Sequence, residues 1–224
     1  MALSTFSLLA SALFGFEGSD LGLIASKLRY LCLRDNGLRA LSNSSLAGLP
    51  LLERLDIYDE PRLSYPLDVF KPVPRLLHLR LEDVGITRVT AALLAPLTSL
   101  QFLSLTDNPL VEFAIQGLAP LPLRKLYLRD TQLRVLNASM LTPLPKLELL
   151  DIGRAPLVEC PDTTFDSVPL LQELEWSASV SNVLAIVVTA RHLYPLTKLR
   201  NLDLDNHRHS RDDVEQWGLL FAQR

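Results

Sequence analysis

The sequence has little of several features that whole classes of proteins depend on. Its 224 residues include only two cysteines, Cys32 and Cys160, which lie 128 positions apart. Two cysteines at that separation do not form the disulfide framework of a small secreted domain, so they do not identify a redox compartment. The formal net charge of −3 leaves no polycationic footprint. This argues against sequence-independent nucleic-acid binding, and we expect no nucleic-acid partner.

Long apolar runs and catalytic motifs are also missing from the sequence. The longest strongly apolar run, Val183–Ala190, is too short to cross a bilayer, so no transmembrane segment is predicted. There is no glycine-rich phosphate loop, no CxxC pair and no GxSxG motif. His207 and His209 lie near several carboxylates, but two histidines in such a loop are usually solvated rather than metal ligands. We therefore predict a non-enzyme with no catalytic residues, no metal site and no cofactor.

Leucine, in contrast, occupies 53 positions, far above its ordinary share. The first leucine of each recurring unit forms a series with steps of 24, 24, 24, 23, 24, 24 and 28 residues. From each of these anchors, apolar residues fall at about +3, +5, +10, +13, +18 and +21. A short strand explains +3 and +5, because alternate side chains of a strand share one face, and the later positions suit a chain that returns along the far side of a coil. The anchors are Leu28, Leu52, Leu76, Leu100, Leu123, Leu147, Leu171 and Leu199.

Two of these units match the pattern L-x-x-L-x-L-x-x-N-x-L in full, from Leu28 to Leu38 and from Leu100 to Leu110. The pattern resembles that of the leucine-rich repeat family. Its 24-residue form is similar to the class found in secreted and cell-surface proteins, including Toll-like receptor ectodomains. The resemblance implies an α/β solenoid, a horseshoe or arc with a parallel concave β-sheet and short, irregular or helical convex segments.

The repeats organise the chain as a single domain of about nine units. Residues 1–26 have the spacing of a degenerate first repeat, although their apolar start and the Ala-x-Ala that ends at Ala12 would also suit a signal peptide. Residues 27–197 hold the regular repeats, and residues 198–224 hold a last repeat with a terminal capping helix. The segment "NVLAIVVTARHL" (182–193) predicts another helix on the outer surface. Cysteine-rich end caps are missing, which suits a segment of a longer ectodomain.

The asparagine of the family pattern, at +8, is present only twice, as Asn36 and Asn108. In the family this side chain forms hydrogen bonds with neighbouring backbone groups, and its repetition builds a polar ladder along the coil. At the other units we expect the ladder to be interrupted, or its backbone groups to bond water instead. The replacements there are Glu60, Val84, Thr131, Ala155, Ser179 and His207.

Strand side chains at +2, +4 and +6 should face away from the core and align across the sheet, because neighbouring strands lie about 4.8 Å apart. The first five units place arginines, a lysine and aromatic residues there, whereas the last three are acidic. Tyrosine and arginine are favoured at binding hot spots, and a charge gradient would orient a partner. The predicted ligand-binding residues are Tyr30, Arg34, Arg54, Tyr58, His78, Arg80, Phe102, Lys125, Tyr127 and Arg129.

A second column, at +7, is made of aspartates. We expect these side chains to cap the turn after each strand by bonding local amides, with calcium or a basic partner as alternatives. The residues are Asp35, Asp59, Asp83, Asp107 and Asp130.

Two N-x-S sequons, at Asn43 and Asn137, lie outside the strands and predict glycans that project away from the binding face. Together these features predict an extracellular or cell-surface recognition module that binds a protein or pathogen-derived ligand, like the ectodomains of innate-immune receptors. One alternative is an intracellular leucine-rich repeat scaffold or enzyme regulator in the cytoplasm. Another is an extracellular adhesion or matrix protein.

Overall fold

The computed structural model describes residues 4–9, 15–178, 186–207 and 211–222. Its main feature is one open parallel sheet of nine strands, to which each repeat adds one strand in chain order. The strands β5 and β7 pair separately, on the returning side of the coil. The strands are β1 (Thr5–Leu9), β2 (Tyr30–Arg34), β3 (Arg54–Tyr58), β4 (His78–Glu82), β5 (Arg88–Thr90), β6 (Phe102–Ser104), β7 (Glu112–Ala114), β8 (Lys125–Tyr127), β9 (Leu149–Asp151), β10 (Glu173–Glu175) and β11 (Asn201–Asp203).

The strand register stacks the repeat leucines directly over one another. Leu31 pairs with Leu55, Leu55 with Leu79, and Leu79 with Leu103, and each is at most 1% exposed. Burial of one leucine stabilises the fold by about 1.5–3 kcal/mol, but a single coil has no second layer to cover it, so neighbouring repeats depend on each other. The α/β solenoid with a parallel sheet, predicted from the leucine period, is confirmed.

The helices are short and lie outside the main sheet. In the described part of segment 182–193, only Ala190–Leu193 is helical, and Asn182–Ala185 lie outside the described residues. The prediction of a helix along this whole segment is therefore wrong for Ile186–Thr189, where β-branched residues disfavour a helix and Thr189 is the N-cap of the turn that follows. No helix among the described ranges is long and apolar enough to span a membrane. The helices are a 3₁₀ helix (Gly18–Lys27), α1 (Asn43–Leu46), α2 (Ala91–Leu94), α3 (Ala138–Leu141), α4 (Ala190–Leu193) and α5 (Arg211–Ala222).

Beneath the sheet, the polar ladder continues through one of the residues that was expected to interrupt it. Asn108 Oδ1 accepts hydrogen bonds from the amides of Val84 (3.1 Å) and Ile86 (3.0 Å) in the preceding repeat. Glu60, 1% exposed, does the same with two oxygens: Oε1 accepts from Asn36 N (2.6 Å) and Oε2 from Leu38 N (2.7 Å). A carboxylate thus replaces the asparagine, because the function of this position is to accept two buried amides.

The aspartates at +7 have a different explanation from the one that the sequence suggested. All five have positive φ, between 49° and 58°, and Arg154 and Asn206 continue the series in later repeats. Aspartate and asparagine tolerate this left-handed conformation better than most residues. Between described residues, none of the five carboxylates accepts a backbone amide, so the prediction of amide capping is wrong. No metal-holding group of three or more His, Cys, Asp or Glu is found in the described part of the chain.

Candidate ligand-binding surface

The side chains of the main sheet that point away from the leucine core form a continuous surface, which we call the open face. Strand pairing aligns its residues in rows, so that Tyr30, Arg54, His78 and Phe102 are successive partners. The open face comprises Tyr30, Cys32, Arg34, Arg54, Asp56, Tyr58, His78, Arg80, Glu82, Phe102, Ser104, Thr106, Lys125, Tyr127, Arg129, Leu149, Asp151, Gly153, Glu173, Glu175, Ser177, Asn201, Asp203 and Asp205.

A buried carboxylate organises the first part of the open face. Asp56 is 0% exposed, and its Oδ2 accepts hydrogen bonds from Tyr30 Oη (3.0 Å) and Arg54 Nε (2.9 Å). The Arg54 guanidinium also lies 4.8 Å from the centroid of the Tyr30 ring, a cation–π distance. Burial, followed by the hydrogen bond from Tyr30 to Asp56 and the Asp56 charge, raises the pKa of Tyr30 well above its ordinary value. Tyr30 and Arg54 are therefore held in fixed positions before any ligand arrives.

Next to this pair, three aromatic rings form a row across consecutive strands. The centroids of His78 and Phe102 are 5.4 Å apart with stacked planes, and those of Phe102 and Tyr127 are 5.2 Å apart. Arg80 lies over the Phe102 ring at 4.9 Å and donates a hydrogen bond to Tyr58 Oη at 3.1 Å. Burial, with the nearby Arg54 charge as the next cause, lowers the pKa of His78, which favours its neutral form. We call His78, Phe102 and Tyr127 the aromatic row.

The arginines at the two sides of the aromatic row have acidic partners. Arg34 Nε lies 2.8 Å from Asp59 Oδ2. Arg129 lies within 3.6–3.9 Å of carboxylate oxygens of Asp130, Asp151 and Glu175. Gly153 leaves room for this contact, because a Cβ there would stand 2.8 Å from Arg129 Nη1. Lys125, in contrast, is exposed and makes no ion pair with a described residue.

The last three repeats present carboxylates instead. Glu173, Glu175 and Asp203 line a cleft of about 490 Å³ between β10 and β11. Burial is the main cause that raises the pKa of both Asp151 and Glu175, and neighbouring carboxylates add to it. This end of the open face is acidic, as the sequence predicted.

The charge balance of the whole surface is negative. Three of the +7 aspartates, Asp59, Asp83 and Asp107, line a cleft of about 530 Å³ together with open-face residues such as Arg34 and Tyr58. The +7 position follows the strand in each repeat, so we count its charges with those of the open face. Open face and +7 positions together hold six Lys and Arg against twelve Asp and Glu, a formal balance of −6, whereas the whole chain has −3. In the first five units the +7 aspartates, with Asp56 and Glu82, outnumber the five cations, so this part of the surface is not basic either.

All ten predicted ligand-binding residues lie on the open face, and the structure brings seven of them into two contacting groups. One group is Tyr30 and Arg54 around Asp56, and the other is the aromatic row with Arg80 and Tyr58. Sequence reasoning missed the importance of Asp56. The available signal was an aspartate at +4 whose neighbours across the sheet are tyrosine and arginine.

Other side chains that the sequence singled out have structural surroundings. Cys160 is buried in the core, Cys32 is half-buried on the open face, and both are free thiols. His207 is not simply solvated, since its ring nitrogens lie at hydrogen-bond distance from the carbonyls of Ile186 and Trp176. His209 lies outside the described residues.

Comparisons with known proteins support the fold and leave the ligand open. No protein-family model matches the chain, and no curated protein matches it. Among solved structures, the chain is similar to the Toll-like receptor in the TLR13–ssRNA13 complex, with 22% identity and a TM-score of 0.62 over 88% of this chain and 31% of that one. This likeness shows the leucine-rich repeat fold, and our chain spans less than a third of the length of that receptor chain. That receptor was solved with single-stranded RNA, so the expectation of no nucleic-acid partner finds no support.

Proposed function

We propose that the chain is a non-enzymatic recognition module, part of an extracellular or cell-surface protein, that binds a protein ligand through its open face. The aromatic row carries this proposal. Three rings in contact, with Arg80 over the central one, lie on the solvent side of the sheet, where the leucine core does not require them. Aromatic and arginine side chains held rigid in this way lose little entropy on binding and are the usual hot spots of interfaces.

The charges favour a partner with a basic surface. The open face and the +7 side chains carry a formal balance of −6, and the carboxylates are most concentrated in the last three repeats. A complementary partner would place apolar and aromatic groups on the aromatic row and lysines or arginines over β10 and β11. Such complementarity speeds association and sets orientation more than it adds affinity.

Single-stranded RNA is a second candidate ligand, favoured by one observation on the similar receptor and one on this chain. The similar receptor chain was solved with such an RNA, and the aromatic row offers ring faces on which bases stack, with Arg80 and Lys125 beside it. The net negative charge of the surface opposes a polyanion. We therefore rank a protein ligand first.

The two sequons fit the proposed extracellular location. Asn43 is exposed at the start of α1, and Asn137 is the N-cap of α3. We propose that both carry glycans. If the chain, directed into the secretory pathway, acquired no sugar at either position, the intracellular scaffold would become the better interpretation. An adhesion or matrix role would use the same open face.

A binding screen with matched variants tests the proposal. The chain is offered to a library of secreted and cell-surface proteins, and each interaction is measured again with Y58A/R80A/Y127A. We expect the affinity to fall at least about tenfold, because the loss of hot-spot side chains costs about 2 kcal/mol or more.

The control variant R62A/Y194A removes the same residue types from exposed positions outside the open face. It should bind like the wild type, and both variants should keep the wild-type circular-dichroism spectrum. A ligand that binds the triple variant with unchanged affinity would exclude this surface. A parallel titration with a single-stranded oligouridylate at about 50 and 200 mM salt distinguishes the RNA alternative, whose affinity would decrease strongly with salt.

A further inference from the structure

A cleft of about 310 Å³ opens on the returning side of the coil, away from the open face. Two of its wall residues are exposed valines, Val111 (60%) and Val135 (36%), and its lining also includes the buried Phe113 and Met140. Asn137, the acceptor asparagine of the second sequon, lies in the same lining. A cleft with exposed apolar walls thus lies next to an N-glycosylation sequon.

The cleft exists because the small ladder on this side of the coil is interrupted here. β7 pairs with β5 on one side, and Val135 pairs with Glu159 in the next repeat. Between β7 and Val135 the described structure has no such pairing, and the two repeats are joined earlier, where Gln132 N donates to Leu110 O at 3.0 Å. The missing strand contact leaves the valines on each side uncovered.

The two ends of the Asn137 amide have different roles. Oδ1 accepts hydrogen bonds from Ser139 Oγ (2.7 Å) and Met140 N (3.3 Å), which caps α3. Nδ2 donates to no described residue. At the other sequon, the Asn43 side chain interacts with the Asp68 carboxylate of the next repeat. A sugar on Asn137 Nδ2 would therefore replace no contact and leave the cap intact.

We propose that Asn137 carries an N-linked glycan whose first sugar lies in the cleft between Val111 and Val135. The inference rests on the proposed extracellular location. In the attachment step, Nδ2 forms a bond to the anomeric carbon of a lipid-linked oligosaccharide, the lipid pyrophosphate leaves, and the amide loses one proton. The attached sugar then needs only to turn toward the neighbouring cleft.

The chemistry of the cleft suits a sugar residue. A pyranose has an apolar C–H side and a hydroxyl rim, and the cleft offers valine side chains beside the polar groups of Gln116, Gln132 and Arg134. Covering the exposed valine surface with the apolar side of the ring stabilises the contact, because it removes apolar area from water. The tether keeps the effective concentration of the sugar high, so a weak contact is sufficient.

Hydrogen–deuterium exchange on the secreted full chain tests this arrangement. The wild type and S139A are trimmed with an endoglycosidase that leaves one N-acetylglucosamine per site. S139A removes the sequon and the hydrogen bond from Ser139 Oγ, but keeps the Asn137 cap on Met140 N. We expect exchange in peptides covering 111–116 and 132–137 to be at least about threefold slower in the wild type than in S139A. N43Q, which removes the other sugar, should leave these peptides unchanged.

Three results would overturn the proposal: no sugar on Asn137 by peptide mass, equal exchange in wild type and S139A, or exchange in N43Q that is as fast as in S139A although Asn137 carries its sugar. A protein ligand that binds the sugar-free cleft would also contradict it. Ligand binding by the open face is measured separately with Y58A/R80A/Y127A. If the glycan does not occupy the cleft, the proposed binding by the open face is unaffected. If the triple variant binds its ligand like the wild type, the open-face proposal fails even when the glycan slows exchange in the cleft.

Discussion

The open face has two regions that share the same repeat backbone but differ in whether their charged side chains are paired. From β2 to β8, carboxylates hold arginines in place and aromatic rings contact one another, as around Asp56 and Phe102. From β9 to β11, Glu173, Asp203 and Asp205 make no ion pair with any described residue. If the open face binds a ligand as we propose, the first region, whose side chains are held in place, would determine specificity, and the second would contribute mainly a negative electrostatic field. The two regions thus share the same repeat backbone and differ in the side chains that it carries at +2 and +4.

Beneath the first region, Glu60→Ala should have the largest effect of these substitutions. The substitution leaves the buried amides of Asn36 and Leu38 without an acceptor. Each such loss costs about 1–3 kcal/mol, so we expect the free energy of unfolding in urea to fall by about 2–5 kcal/mol. Glu60→Gln, which keeps one carbonyl oxygen, should lose about half as much. Equal stability of Glu60→Ala and wild type would show that Glu60 does not accept the two buried amides.

Removal of one carboxylate from each region tests the contrast on the open face itself. Asp56→Ala deprives Tyr30 and Arg54 of their acceptor, and we expect a loss of about 1–3 kcal/mol, because hydrogen bonds to charged groups contribute about that much. Glu173→Ala, without an ion pair, should change stability by less than about 0.5 kcal/mol. Urea unfolding of both variants gives the comparison. Similar losses would mean that the first region is no more ordered than the second.

The smallest effect concerns pH. Burial raises the pKa of Asp151 above its ordinary value of 3.8, so at pH 7 its ionised form disfavours the folded state. As the pH falls through the raised pKa, the folded protein takes up a proton before the unfolded chain does, and stability rises. Asp151→Asn should therefore be slightly more stable than wild type at pH 7, with a difference in Tm that disappears toward pH 3.8. A variant that is less stable at pH 7 would show that the Arg129 contact outweighs burial.

The solenoid, the strand register and the leucine interior could be predicted from the sequence, because a period of 24 residues repeats one short hydrophobic pattern eight times. The placement of the ten predicted ligand-binding residues on one face follows from strand alternation alone. Glu60 could not be predicted as a ladder residue, since the pattern names asparagine there and only the structure shows two amides to be accepted. The role of the +7 aspartates could not be predicted, because the sequence shows that they follow each strand but not that the backbone there has positive φ.

Oxidative side-chain footprinting of the chain with and without a ligand found by the screen tests the central claim most directly. If the open face binds the ligand, Tyr58, Phe102 and Tyr127 should be oxidised several-fold more slowly in the complex, while Tyr194, exposed elsewhere, should react as in the free protein. Protection of Tyr194 with no change at the aromatic row would contradict the account.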